Sequence, residues 1–241
     1  MATYVQTNVG LYWGGYSLAS SFNAIALNLG NSLQDDTVYG DTFVSNTAGL
    51  SSVQLEAEGL WQSATDSVLQ SGLAINVAET VLSVTPVDQA AGSPSLFSKV
   101  TTSTYNPIST GTVGSMLGFS LSAEGRGEKS VSGEILVKPS DTHTSSSVSP
   151  VNAAIGAVSA TQSIYSALHV ISASGTLVVT VKSASNEAFS ADVTTELTHT
   201  SVGSSVTAEM LSAAGAITNT YWRVDFTVSG SYQFIVSLGI I

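Results

Sequence analysis

The sequence predicts a mainly β protein, and three features carry that prediction. Apolar and polar residues alternate with a period of two over many short stretches, as they do in half-buried strands. Serine, threonine, glycine and alanine replace most of the usual charge: 43% of the 241 residues are apolar, but only 10% are charged, against about a quarter in ordinary domains. Thr and Val suit strands and Ser and Gly suit turns. Finally, the apolar runs are short and are separated by turn-rich segments, which suits antiparallel sheets.

The alternation begins at Ile25, Leu27 and Leu29, which point one way with Ala24, Ala26 and Asn28 between them. A polar, turn-rich loop follows, Asp35-Asp36-Thr37-Val38-Tyr39-Gly40-Asp41-Thr42. After Ala48-Gly49-Leu50 a second strand places Val53, Leu55 and Ala57 opposite in sense to Gln54, Glu56 and Glu58. Gln62 to Gln70 breaks the period: Ala64, Val68 and Leu69 fall at helical spacing, Thr65 and Asp66 suit a helix start, and Gly72 suits a stop. One short helix is expected there. Phe119 and Leu121 alternate with Ser120 and Ser122, and Gly125-Arg126-Gly127 reads as a hairpin turn before the strand Glu134–Val137.

Residues 138–150 hold Pro139, Pro150 and many hydroxyl side chains, and read as a linker or long exposed loop. The expected division is therefore a β domain over 1–137, a linker over 138–150 and an antiparallel β-sandwich over 151–241. Ser159 to Leu168 is compatible with turn, short helix or strand. Beyond it, strands are expected at Leu168–Ile171, Gly175–Val181, Ser190–Leu197, Tyr221–Phe226 and Phe234–Ile241.

Several function classes fit poorly. The net charge is −11, and residues 1–135 carry 11 acids against 3 bases, so no basic surface is available to neutralise a phosphate backbone. The chain has no cysteine, which removes disulfides, zinc–thiolate sites and thiol catalysis. No apolar stretch reaches membrane-spanning length, and no secretory signal is visible at the N-terminus. The three histidines, His143, His169 and His199, lack metal-ligand spacing and are expected to be structural or solvated. Gly114-Ser115-Met116-Leu117-Gly118 is not a nucleophile elbow, because its serine sits one position early. No enzyme activity, cofactor or metal is expected. Trp13, Trp61, Trp222 and their tyrosine neighbours form no planar stripe and are expected to pack in cores or interfaces. Glu56 and Glu58 share one strand face; a solvated face, a glycosidase pair, a calcium site and a charged lumen in an assembly all fit that spacing.

The order of these segments resembles the bacteriophage tail tube (major tail) protein family. Asp35-x-Thr37-x-x-Gly40-Asp41 is similar to that family's acidic loop, and Ala48-Gly49-Leu50 leading into Ser52–Glu58 is similar to its following segment, with Ala48 in place of the usual proline. Tyr105-Asn106-Pro107, Gly111–Gly114, Phe119–Gly125 and Ser132–Leu136 are similar to its closing strands. The resemblance covers residues 5–137; the remainder looks like a β-sandwich or jelly-roll domain of the kind that decorates tail tubes.

The resemblance implies a virion structural protein, assembled in the host cytoplasm. Its subunits form stacked, usually hexameric, β-barrel rings through which DNA passes without specific binding. It implies self-association and contact with other tail proteins such as tape measure and terminator. Asp35, Asp36, Thr37, Tyr39, Gly40, Asp41 and Thr42 would form the loop that reaches a neighbouring subunit or ring. Glu56 and Glu58 would lie on an acidic lumen face that repels phosphates. A carbohydrate-binding adhesin module and a capsid decoration protein are the competing readings.

Overall fold

A computed structural model describes residues 9–18, 22–39, 42–60, 79–110, 113, 116–127 and 130–241. Every regular element among them is a strand: β1 (Gly10–Trp13), β2 (Tyr16–Ser17), β3 (Phe22–Asp35), β4 (Asn46–Leu60), β5 (Thr80–Thr85), β6 (Pro94–Thr110), β7 (Gly118–Gly125), β8 (Val131–Val137), β9 (Ser147–Val148), β10 (Ser163–Ala184), β11 (Thr194–Thr198), β12 (Thr207–Ala214) and β13 (Tyr221–Ile240). The strand pairings among the described residues are antiparallel. The helix expected at Gln62–Gln70 lies outside the described residues, as does Trp61.

The chain forms two compact units that are not consecutive in sequence. Unit 1 takes residues 1–20, 80–99 and 131–241; unit 2 takes 21–79 and 100–130. The sequence-based division at 138–150 is cut differently here. That segment belongs to unit 1, where it is pinned to β13: His143 and Tyr232 exchange backbone hydrogen bonds of 2.8 and 3.0 Å, and the Ser149 amide donates to the Val224 carbonyl at 2.7 Å. His143 also packs edge-on to Phe226 and tilted against Phe234, with ring centroids 4.7 and 4.9 Å away. Its hydroxyl-rich composition reflects an exposed surface, and backbone pairing holds the chain there.

Unit 1 is organised on β10 and β13, which pair from Ile164↔Ile240 to Ala184↔Tyr221. β12 adds to the first half of β10 and β11 to the second, while β13 continues through β8 to β6. The strands of the expected β-sandwich over 151–241 share a sheet with β8: Glu134, Ile135 and Val137 pair with Leu238, Ser237 and Val236. Ser159–Leu168 resolves as a turn leading into β10. Leu168–Ile171 and Gly175–Val181, expected as two strands, are one strand that bends at Gly175. Opposite it lies Gly230; both have positive φ, 101° and 120°. A Cβ on Gly175 would sit 1.6 Å from the Ser229 carbonyl oxygen, and one on Gly230 would sit 1.9 Å from that of Ser174. Two glycines are required where both strands turn a corner together.

The unit 1 core is aromatic and branched aliphatic. Trp222, Tyr232 and Phe234 are fully buried among Leu177, Val224 and Val236. The polar tips of Trp222 and Tyr232 are served: Trp222 Nε1 donates to the Gly156 carbonyl at 2.8 Å, and Tyr232 Oη donates to the Val202 and Gly203 carbonyls at 3.1 and 3.0 Å. Trp13 and Tyr12 are also core residues, at 2% and 0% exposure, as the sequence suggested. Ser190 to Leu197 shortens to β11, because Asn186, Ser190, Ser185 and Asp192 hydrogen-bond one another into a loop over residues 185–193.

Unit 2 is a four-stranded antiparallel sheet in the order β3-β4-β7-β6. One face is apolar: Leu55, Phe119, Leu121 and Ala123 are at most 1% exposed, and Phe22 meets Phe119 edge-on at 5.0 Å. The expected hairpin at Gly125-Arg126-Gly127 is corrected. β7 and β8 do not pair; both run against β6, β7 over its later residues and β8 over its first four. Gly127, with φ 69°, instead lies where the chain passes back to unit 1.

Replacing Gly175 or Gly230 by Ala is expected to cost about 3 kcal/mol or more, since it adds a backbone clash to a positive-φ strain. Urea unfolding of the purified variants checks this through a lowered midpoint at unchanged slope.

Candidate functional site

The predicted loop residues close the β3–β4 hairpin of unit 2. Asp35 pairs with Asn46 at the last rung, and the Asp36 amide donates to the Ser45 carbonyl at 3.1 Å. The loop then hydrogen-bonds to itself. The Thr37 amide donates to Asp35 Oδ1 at 2.9 Å, the Ser45 amide to Thr37 Oγ1 at 3.0 Å, and the Thr47 hydroxyl to Asp36 Oδ2 at 2.6 Å. These donors hold both aspartates below the ordinary carboxylate pKa, Asp35 through Thr37 and Asp36 through Thr47 and Ser45. Gly40 and Asp41 lie outside the described residues; Thr42 is exposed.

Asp35 and Asp36 are engaged in shaping the loop, and beside the exposed Thr42 the tip presents four apolar or aromatic side chains. Val38, Tyr39, Phe43 and Val44 are 67%, 110%, 84% and 72% exposed. The sequence reading singled out the acids and Tyr39 and passed over Val38, Phe43 and Val44. Their signal was available: apolar residues inside a turn-rich loop, where neither strand nor helix periodicity requires them.

A second exposed apolar group lies at the opposite end of the same sheet. The β3–β4 loop follows Asp35↔Asn46 at one end, whereas Leu60↔Gly118 and Thr110↔Gly118 mark the other. There Val113, Met116, Leu117 and Leu60 are exposed. The 15 residues of β4 separate the two ends by roughly 50 Å at 3.3 Å per residue.

Glu56 and Glu58 lie on the solvent face of β4. The register sets Glu56 between Ala26 and Ser122, Glu58 between Ala24 and Ser120, and Gln54 between Asn28 and Glu124. Cross-strand partners share a face, so Glu124 joins the two predicted acids on it. Thr101, Thr104 and Asn106 of β6 extend the same face. It is hydroxyl- and amide-rich, negative and without a cation among the residues just named. The side chains show no further ligand that would complete a calcium or glycosidase arrangement, and among the described residues no three His, Asp or Glu side chains gather as a metal site.

Unit 1 contains two buried histidine networks that the sequence did not reveal. His169 is fully buried. Its Nδ1 lies 2.6 Å from the Gly14 carbonyl and its Nε2 2.7 Å from Ser83 Oγ. A carbonyl only accepts, so Nδ1 carries the proton and the Ser83 hydroxyl donates to Nε2. Burial pushes the His169 pKa down to about 4. His199 has Nε2 2.9 Å from Ser166 Oγ and Nδ1 2.9 Å from Glu209 Oε2. By the same logic Nδ1 donates to the carboxylate. The Thr200 amide and hydroxyl donate to Glu209 as well, at 2.9 and 2.7 Å. Led by the His199 hydrogen bond, these donors lower the Glu209 pKa to about 2. The Ser–His–Glu order matches that of a hydrolytic triad, but Ser166 is 0% exposed and its hydroxyl is sealed from any substrate. The network fastens residues 199–200 to β10 and β12.

The described residues therefore define a β protein with antiparallel pairing whose unit 2 presents two exposed apolar sheet ends and an acidic face. No family model matches the chain, and no curated protein matches it. Among solved structures it is similar to a chain of the virion of a native gene transfer agent particle, at 12% identity and TM-score 0.36, over 45% of this chain and 82% of that one. It is similar to a chain in the tail of an empty gene transfer agent particle with C6 symmetry, at 12% and 0.34, over 45% and 79%. It is also similar to a chain of the six-fold symmetrised baseplate of the anti-feeding prophage, at 13% and 0.40, over 55% and 97%. All three scores lie below one half, and the functional argument rests on this chain's own residues.

The His169 pKa sets a pH window. The unfolded chain binds the proton near pH ~6.5, the folded protein only near 4. Stability from this group is therefore complete above the upper value and falls as pH drops between the two. The loss is about 3 kcal/mol by linkage. Urea unfolding across that range, with the His169 ring followed by NMR, checks both the loss and the depressed midpoint.

Proposed function

We infer that this chain is a virion structural protein of the tail-tube type, polymerising head to tail through unit 2. The observation that carries the reading is the pair of exposed apolar groups at opposite ends of one sheet. An interface between two different surfaces of identical subunits is heterologous, and it propagates as an open stack or closes as a ring. A tip bearing Val38, Tyr39, Phe43 and Val44 gains free energy by leaving water, at about 25 cal/mol per Å² of apolar surface covered. Asp35 and Asp36 are already hydrogen-bonded within the loop, so covering it strands neither carboxylate in an apolar contact.

The face bearing Glu56, Glu58 and Glu124 supplies the second requirement. Turned inward around a ring axis, it makes a polar, negative lumen over which nucleic acid phosphates are repelled and do not adhere. The sequence resemblance to tail tube proteins adds hexameric rings, DNA passage and neighbouring tail proteins to the proposal. The carbohydrate-binding alternative is favoured by a specific pocket in unit 1 and is taken up below.

Two experiments test the reading. Replacing Val38, Tyr39, Phe43 and Val44 together by Ser is expected to abolish rings and tubes in negative-stain micrographs while leaving the melting temperature unchanged; normal tubes from that variant would remove the loop from the interface. Changing Glu56, Glu58 and Glu124 to Lys is expected to leave assembly intact and to make the assemblies retain duplex DNA in low-salt sedimentation, with release as salt rises.

A further inference from the structure

We propose that unit 1 binds a neutral sugar ring in the pocket formed by residues 200–209 against Leu168. The pocket encloses about 310 Å³, at the small end of ligand sites, which run roughly 300–1,000 Å³. That size suits one or two sugar rings. Its lining includes the apolar Leu168, Val202 and Ala208 and the hydroxyl residues Thr200, Ser201, Ser205 and Thr207. Glu209 is the charged group in the lining.

The chemistry discriminates among ligand classes. No Lys or Arg lines the pocket, so nothing offsets the charge of a phosphate or carboxylate brought beside Glu209. A carboxylate offers about four acceptor sites. His199 and the Thr200 amide use two on Oε2, and the Thr200 hydroxyl uses one on Oε1. One acceptor site on Oε1 remains, with the side chain 28% exposed. Hydroxyl walls both donate and accept. A sugar hydroxyl does the same and matches them, whereas an ammonium only donates and leaves the wall donors unserved.

The pocket is also fixed before any ligand arrives. Tyr232 Oη holds the carbonyls of Val202 and Gly203. Leu177 and Val202 exchange two backbone hydrogen bonds of 2.9 Å, and the Gly175 amide donates to Ser204 Oγ at 3.1 Å. At the other end of the loop, the Gly15 backbone packs so closely that a Cβ there would sit 2.6 Å from the Thr207 amide nitrogen. The Ser166–His199–Glu209 relay anchors its start. Binding to such a loop costs little ordering entropy, which supports weak but specific recognition of a small ligand.

The test uses the full chain and saturation-transfer difference NMR, which reads ligand binding to monomers and assemblies alike. The probes are methyl α-glucopyranoside, methyl β-galactopyranoside and methyl N-acetyl-β-glucosaminide at millimolar concentration, with butylamine and inorganic phosphate as counter-probes. At least one glycoside is expected to give saturable transfer. Gly203→Leu fills the pocket without strain, because a Cβ at Gly203 meets nothing within 4 Å, and is expected to weaken binding tenfold or more at unchanged melting temperature. Ser205→Leu serves as the second filling variant. Absence of saturable transfer from every glycoside, equal transfer in both filling variants, or tighter binding of butylamine or phosphate overturns the proposal. The outcome is independent of polymerisation, which the pocket-filling changes do not touch.

Discussion

The antiparallel pairing of β10 with β13 is the constraint on which unit 1 depends. It runs from Ile164↔Ile240 to Ala184↔Tyr221 without interruption beyond one register shift. Each further strand of the unit is placed by it, directly or through β8: β11 and β12 on the free side of β10, β9 against Phe226 and Asp225. Three hydrogen bonds then fasten the N-terminal strands to this ribbon from far away in sequence. Ser83 and the Gly14 carbonyl reach His169, and Ser95 reaches Ser237 at 2.9 Å. All three are buried polar contacts, in which a lost partner costs more than the bond itself contributes. They fix register as much as they add stability.

Unit 2 follows a different economy. Its sheet buries one face and leaves the other to Glu56, Glu58, Glu124 and a field of Ser, Thr and Asn. Two carboxylates at adjacent same-face positions of β4 repel each other weakly in water, and such repulsion is tolerated where the face stays solvated. Apart from Leu29 in the middle of β3, its exposed large apolar residues among those described gather at its two ends. A soluble monomer gains nothing from that placement; a polymer uses both.

Much of this was legible in the sequence. The period-two alternation of Val53, Leu55 and Ala57 with Gln54, Glu56 and Glu58 fixed both the strand and the face that carries the acids. Trp13, Trp222 and Tyr232 were readable as core because they formed no surface stripe. Other features were not legible, for physical reasons. Gly175 looks like the end of a strand, because a lone glycine gives no sign that Gly230 lies across from it and bends with it. The hydroxyl-rich run 138–150 looks like a linker, because backbone pairing to β13 leaves no mark on side-chain composition. In the loop, Asp35, Asp36 and Thr37 drew the eye, but their work is to hydrogen-bond the turn. Ser166, His199 and Glu209 are scattered over 44 positions and meet only through strand register, which no local pattern encodes.

The interleaving of the two units along the chain also dictates an order of events at the ribosome. Residues 21–130, which contain all of unit 2, emerge before any of β10 or β13 exists. Strand β8 and the first residues of β6 must wait for β13, more than a hundred residues downstream: Ser237 pairs with Ile135 and hydrogen-bonds to Ser95. Contacts of such long separation form slowly. Each nascent chain thus carries a completed sheet with exposed apolar ends while its other half is still unmade, and neighbouring chains on one message meet in that condition. Under the proposed head-to-tail assembly, the interval between translation of Leu60 and of Ile240 is the time during which a cell must keep these chains apart.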